Sequence, residues 1–189
     1  MRGSSEGLTD CLFIQYYLKT VHHWQDGNSR ANIKFMRWNR ILKKNENNVM
    51  IGHDGSCSRL IPMLENVLKS NWMGSLEEAY RKIVIVTDRD DNHSETYFLN
   101  EMIRLISEQH GKIVDTIVNN EWCKVSFINS IEEEFTVEFL LLVIPLSENG
   151  AIETVLLDSI AQKDAYDKTI IDKSNGTTSR KRTHKIDKF

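Results

Sequence analysis

Apolar residues recur along this chain with two different periods, and the change of period marks its elements. Leu8, Leu12, Phe13, Tyr16 and Tyr17 fall on one helical face, so the spacing predicts a helix over about Leu8 to Val21. Leu60, Met63, Leu64, Val67 and Leu68 predict another from about Cys57 to Ser70, with Pro62 in its first turns, where a missing N–H costs little. Phe98, Met102, Leu105 and Ile106 predict a third over Ser94 to Gln109, with Gly111 as its stop. Ile152, Val155, Leu156 and Ile160 predict a fourth, from Ala151 to about Lys163. Between these lie shorter β-branched runs. Lys82 to Thr87 is the clearest strand, and Asn48–Gly52, Trp122–Ile128 and Phe135–Ile144 also read as strands. The segment 22–48 has no steady period. It reads as an irregular excursion with one short helix over Ala31–Leu42.

Strands alternating with helices of about a dozen residues predict an α/β domain with a mostly parallel central sheet. An uninterrupted Lys-Ile-Val-Ile-Val-Thr run suits a strand buried on both faces. That picture is a three-layer, Rossmann-like sandwich over residues 1–172, followed by a basic tail, 173–189. In such folds sites form beyond the carboxyl ends of the strands.

Composition changes this little. The chain has 189 residues, 40% hydrophobic and 27% charged, as expected of a soluble globular domain. No apolar run is long enough to span a bilayer, and no signal-peptide pattern opens the sequence. Cys11, Cys57 and Cys123 are far apart, which predicts reduced thiols in a cytoplasmic protein. Charge is more informative. The net charge is −3, yet the tail carries six basic residues, Lys181 and Arg182 among them, against Asp187 alone. The tail is therefore +5 and the body −8, an acidic body with a phosphate-seeking end.

Two acidic motifs carry the candidate chemistry. Asp88 and Asp90 flank Arg89 just past the clearest strand, so both carboxylates stand at the sheet's carboxyl edge. Mg²⁺ takes oxygen ligands, keeps several waters and needs one or two carboxylates plus a substrate phosphate. The competing reading is a polar loop whose aspartates cap the next helix. Upstream, Glu6-Gly7-Leu8-Thr9-Asp10 stands where a first strand would pass into a helix, with Gly7 allowing a tight turn. Asp10 lies one helical turn from Glu6. A helix dipole alone also favours an acid there.

The Glu6-Gly7 pair upstream of Asp88-Arg89-Asp90 resembles the topoisomerase–primase, or Toprim, superfamily. The nearer resemblance is to small stand-alone members and to overcoming-lysogenisation-defect nucleases, in which Asp10 matches an acid shortly after the glutamate. Val143-Ile144-Pro145 with Gly150-Ala151-Ile152-Glu153 looks like a late strand and a following acidic element of that group. The resemblance implies a Toprim-like sandwich and Mg²⁺- or Mn²⁺-dependent phosphodiester hydrolysis of nucleic acid. Glu6 would be the general acid or base. Glu6, Asp10, Asp88, Asp90 and Glu153 would be the metal ligands. Lys181 and Arg182 would assist at the phosphate.

The alternatives are a non-catalytic module that binds nucleic acid or a partner protein, and a phosphoaspartate switch at Asp88. His22-His23 and His53-Asp54 lack partners at zinc spacing and read as surface groups. Gly52 to Ser56 reads as a plain turn, and the scattered tryptophans Trp24, Trp38, Trp72 and Trp122 as core-edge residues.

Overall fold

The computed structural model describes residues 6–27, 36–162 and 169–170. Its first unit is α1 (Glu6–His22) lying on a three-stranded antiparallel sheet of β1 (Gln25–Asp26), β2 (Trp38–Lys44) and β3 (Asn47–His53), in the order β1-β2-β3. Here the sequence reading is corrected. Residues 38–42, expected to be helical, form a strand, with Trp38 paired to His53 and Lys44 to Asn47. Asn45 and Glu46 make the two-residue turn, and Asn45 takes φ 54°. Asparagine tolerates that left-handed conformation better than most residues. Alternate residues Leu42 and Ile51 point toward α1 and enclose Cys11, with Ile14, Leu18, Trp24, Trp38 and Val49 packed around them.

The second unit holds the larger core. A short 3₁₀ turn (Cys57–Arg59) leads into α2 (Leu60–Met73), followed by β4 (Lys82–Asp88), α3 (Ser94–Glu108), β5 (Lys112–Ile113), β6 (Trp122–Ile128), β7 (Glu134–Ile144) and α4 (Ile152–Ala161). The sheet order is β4-β7-β6-β5. Only the β4–β7 pair is parallel; β5–β6 and β6–β7 are antiparallel. The expected mostly parallel, three-layer Toprim-like sandwich is therefore not the fold. The physical reason lies in the connection between β6 and β7. Five residues, 129–133, join them. A parallel crossover needs a dozen or more, so the pair has to turn back as a hairpin. Asn129 builds that turn, its Oδ1 accepting from the N–H groups of Ile131 and Glu133.

One face of this sheet carries the core. Cys123, Val125 and Phe127 of β6, Phe135, Val137, Phe139, Leu141 and Val143 of β7, and Ile85 of β4 all point toward α2 and α3. Full burial of a side chain such as Phe139 contributes about 2–3 kcal/mol. The opposite face is only partly covered: Val84 is 49% and Trp122 47% exposed. The β4 run is thus not buried on both faces, as its unbroken hydrophobicity had suggested.

Gly111 differs from expectation in its role. His110, at φ 57°, is the left-handed residue ending α3, while the N–H of Gly111 closes the helix onto the Ile106 carbonyl at 2.8 Å. A Cβ on Gly111 would stand 2.5 Å from the Phe127 ring, so close packing, not a strained backbone, requires glycine there.

Candidate functional site

The end of β4 meets the start of α4 at one corner of the larger sheet. Arg89 and Gly150 form an isolated antiparallel bridge, Arg89 N–H to Gly150 O at 3.1 Å and Gly150 N–H to Arg89 O at 2.9 Å. This fixes the entrance to α4. Ala151 precedes the helix in an extended conformation, φ −129°, ψ 176°, and has no side-chain acceptor to offer the first turn. Asp88 supplies one from 64 residues away: its Oδ1 accepts from Ile152 N–H at 3.2 Å. Thr154 Oγ1 accepts from Ala151 N–H at 3.2 Å. A carboxylate at a helix N-terminus is favoured by both the orphan N–H groups and the macrodipole. Glu153 stands exposed in the same first turn, and Asp90 is exposed just past the bridge.

Arg89 holds the corner from beneath. It is 9% exposed. Its Nε donates to Pro145 O at 2.7 Å, and its Nη2 donates to Leu146 O at 3.0 Å and to Glu95 Oε2 at 2.5 Å. Asn119 Nδ2 donates to the same glutamate oxygen, and Asn119 Oδ1 accepts from Val143 N–H at 2.9 Å. The network ties β4, β7, α3 and the turn after the cis Ile144–Pro145 bond into one frame. Arg89, which stands between the two aspartates in sequence, is therefore a buried structural residue. Nothing in the sequence singles out Asn119, because a lone asparagine between elements carries no local pattern.

Asp91 holds the turn into α3. Its Oδ1 accepts from His93 N–H at 2.8 Å and from Ser94 Oγ at 3.0 Å. The His93 N–H first, and then the Ser94 hydroxyl, hold its carboxyl below the usual value.

The structure thus brings Asp88 to the start of the helix that carries Glu153, while Asp90 lies two residues further along the chain. Glu6 and Asp10 belong to another layer. Glu6 opens α1, and Asp10 lies in the helix that rests on β3, its Oδ1 buried. Glu6 does not follow a strand of the sheet that carries Asp88, and the segment before it lies outside the described residues. Lys181 and Arg182 also lie outside them. Among the described residues, no group of three or more His, Cys, Asp or Glu side chains is placed to hold one ion. Nor is any helix among them long and apolar enough to cross a membrane.

Beside α1, His53 Nδ1 accepts from Gly55 N–H at 3.1 Å, and its ring lies 5.9 Å from that of Trp38. Burial first, and then the nearby Arg37 charge, push its pKa below the ordinary value. Burial, with Asp10 next to it, raises the Cys11 thiol to about 12.

No family model matches the chain, and no curated protein matches it. Among solved structures, a lactoylglutathione lyase from Agrobacterium tumefaciens is found, at 6% identity and a TM-score of 0.19, over 69% of this chain and 85% of that one. A TM-score that low carries no argument about fold or activity. The Toprim resemblance does not stand. The mixed sheet and the placement of Glu6 on a helix above a separate sheet remove the shared frame on which it depended, and no comparison returns such a protein.

Proposed function

We propose that the corner between β4 and α4 is a divalent-cation site for phosphodiester hydrolysis of nucleic acid, with Asp88 and Glu153 as its carboxylates and Mg²⁺ or Mn²⁺ as its ion. The observation that carries this reading is the 3.2 Å contact of Asp88 Oδ1 with Ile152 N–H, which draws two acidic segments 64 residues apart to one point.

The donor set fits a small hard cation. Mg²⁺ is held by one or two carboxylates together with water and substrate phosphate, not by an all-protein cage, so a sparse group of acids suits it. When bound, such an ion would neutralise phosphate charge and activate a coordinated water. The chain's own contribution is positional. Asp88 holds the helix start against the strand end, Glu153 stands open to solvent in the first turn of α4, and the N-terminus of that helix favours an approaching anion. The Arg89–Glu95 pair keeps these parts in register. The basic tail, with Lys181 and Arg182, supplies the attraction for a polyanion. Glu6 and Asp10 have no role in this site.

A second reading has its own support. Asp88 caps α4 and Asp91 holds the turn into α3, so two of the acids already have structural work, as in a module that binds nucleic acid or a partner protein without catalysis. Thermal melting with added Mg²⁺ or Mn²⁺, followed by cleavage assays on plasmid and oligonucleotides, separates the two. The hydrolase reading predicts metal-dependent stabilisation and cleavage, both lost in Asp88→Asn and Glu153→Gln. Absence of both effects in the unmodified chain leaves the binding module.

A further inference from the structure

Strand β4 is the edge of its sheet. Its pairing with β7 uses one side only: Arg81 O accepts from Glu138 N–H at 2.9 Å, and Arg89 N–H donates to Ile144 O at 2.7 Å. Successive residues of a strand present their N–H and C=O to opposite sides, so those of Val84 and Val86 face away from β7. Among the described residues no backbone hydrogen bond reaches them from that side. The strand also lacks the usual protection of an edge. Ile83-Val84-Ile85-Val86 contains no charge, no proline and no bulge, and Val84 is 49% exposed.

The edge is complementary to itself. We propose that two copies of this chain pair antiparallel through their β4 edges, about a two-fold axis at Ile85. In that register Val84 stands opposite Val86 of the second copy, and the two exchange N–H···O bonds. Ile83 stands opposite Thr87, and Lys82 opposite Asp88, at both ends of the seam. Residues directly opposite in an antiparallel pair share a face. Val84 and Val86 therefore cover each other on the outer face, while Ile83 and Ile85 continue the core on the helix side. The four-stranded sheets join into one continuous sheet.

The valines select this register. A slip of two residues sets Val84 against Asp88 or Lys82 against Val86, so only the register centred on Ile85 pairs both valines with valines. Lys82 already donates to Glu138 at 2.6 Å, and an ammonium has three donors, so it can serve both carboxylates. The pairing also brings Lys82 of the second copy beside the Asp88 corner. It stands whether or not that corner hydrolyses anything.

The test is sedimentation velocity of the full chain from dilute solution to about 1 mM, the weak end of specific association, with amide hydrogen exchange of Val84 and Val86 at both extremes. The expected result is a dimer, with these two amides exchanging roughly tenfold or more slowly when concentrated. V84K places a lysine in the seam at a position half-exposed in the single chain, and K82D sets like charges at both ends. Each is expected to weaken association by roughly tenfold or more while keeping the circular dichroism spectrum. Two results overturn the proposal: a chain that remains monomeric throughout, and a dimer in which the Val84 and Val86 amides exchange as fast as in dilute solution. A dimer unaffected by whichever of V84K and K82D keeps its fold does the same.

Discussion

Asp88, the last residue of β4, caps the helix that carries Glu153: its Oδ1 accepts from Ile152 N–H at 3.2 Å, across 64 residues of sequence. The helix has Ala151 at the position where serine, threonine or aspartate would ordinarily serve. The strand end and the helix start are therefore coupled, and any change at Asp88 is felt in both.

Charge and hydrogen bonding at Asp88 are separable. Asp88→Asn keeps an acceptor for Ile152 N–H and is expected to lose little stability. Asp88→Ala removes the acceptor and is expected to cost about 1 kcal/mol, the usual loss of a helix cap. Urea unfolding of the two variants measures the difference. Both are expected to lose any stabilisation by Mg²⁺.

Arg89 tests the frame beneath the corner. Arg89→Met strands two carbonyls, those of Pro145 and Leu146, and leaves the Glu95 carboxylate with Asn119 as its remaining side-chain donor. Because Glu95 is 33% exposed, the loss falls at the low end for a broken buried pair, about 3 kcal/mol. A double-mutant cycle with Glu95→Gln, followed by urea unfolding, gives the coupling.

The strand and helix boundaries of the larger unit were legible in the sequence because their periods are clean. Residues 82–87 and 122–128 were read as strands and form them. Strand direction was misread. The unbroken Ile83–Val86 run looked like a strand covered on both faces, although hydrophobicity does not reveal which face is covered. The information was present elsewhere, in the five-residue link from β6 to β7, which forbids a parallel pair. Residues 38–42 were read as helix because Trp38, Ile41 and Leu42 suit either period over so short a span. Only pairing with β3 decides it. The candidate corner was half legible. Asp88 reaches the start of the helix that carries Glu153, whereas Glu6 and Asp10, expected at the same edge because a first strand would end there, lie on the helix over the other sheet.

The thiols offer a check on burial. Cys57 is exposed, while Cys11 and Cys123 are buried, with the Cys11 thiol raised to about 12 and that of Cys123 also raised by burial. In the native protein near neutral pH, a disulfide reagent is expected to modify Cys57 quickly and the other two only on unfolding. Fast reaction at Cys11 would show that α1 does not cover it.

Acid should act on two groups in the same direction. Asp91 has its pKa lowered from 3.8, so its support of α3 is complete above that value and is lost as pH falls through the lower folded value. His53 is lowered from 6.5, chiefly by burial, so the unfolded chain takes up a proton first. The stability associated with neutral His53 is full above 6.5 and is lost as pH falls through its folded pKa. NMR titration is expected to place the His53 midpoint below 6.5 and to show the first amides of α3 loosening only at the acid end. A His53 midpoint above that value would contradict its burial against α1.

The corner itself is tested most directly by Mn²⁺ added to the isotopically labelled protein, with paramagnetic broadening read at each backbone amide. The account predicts saturable broadening centred on Asp88 to Asp90 and on Ile152 to Thr154, abolished in Glu153→Gln. Broadening centred on Glu6 and Asp10, or spread over the surface without saturation, would contradict it.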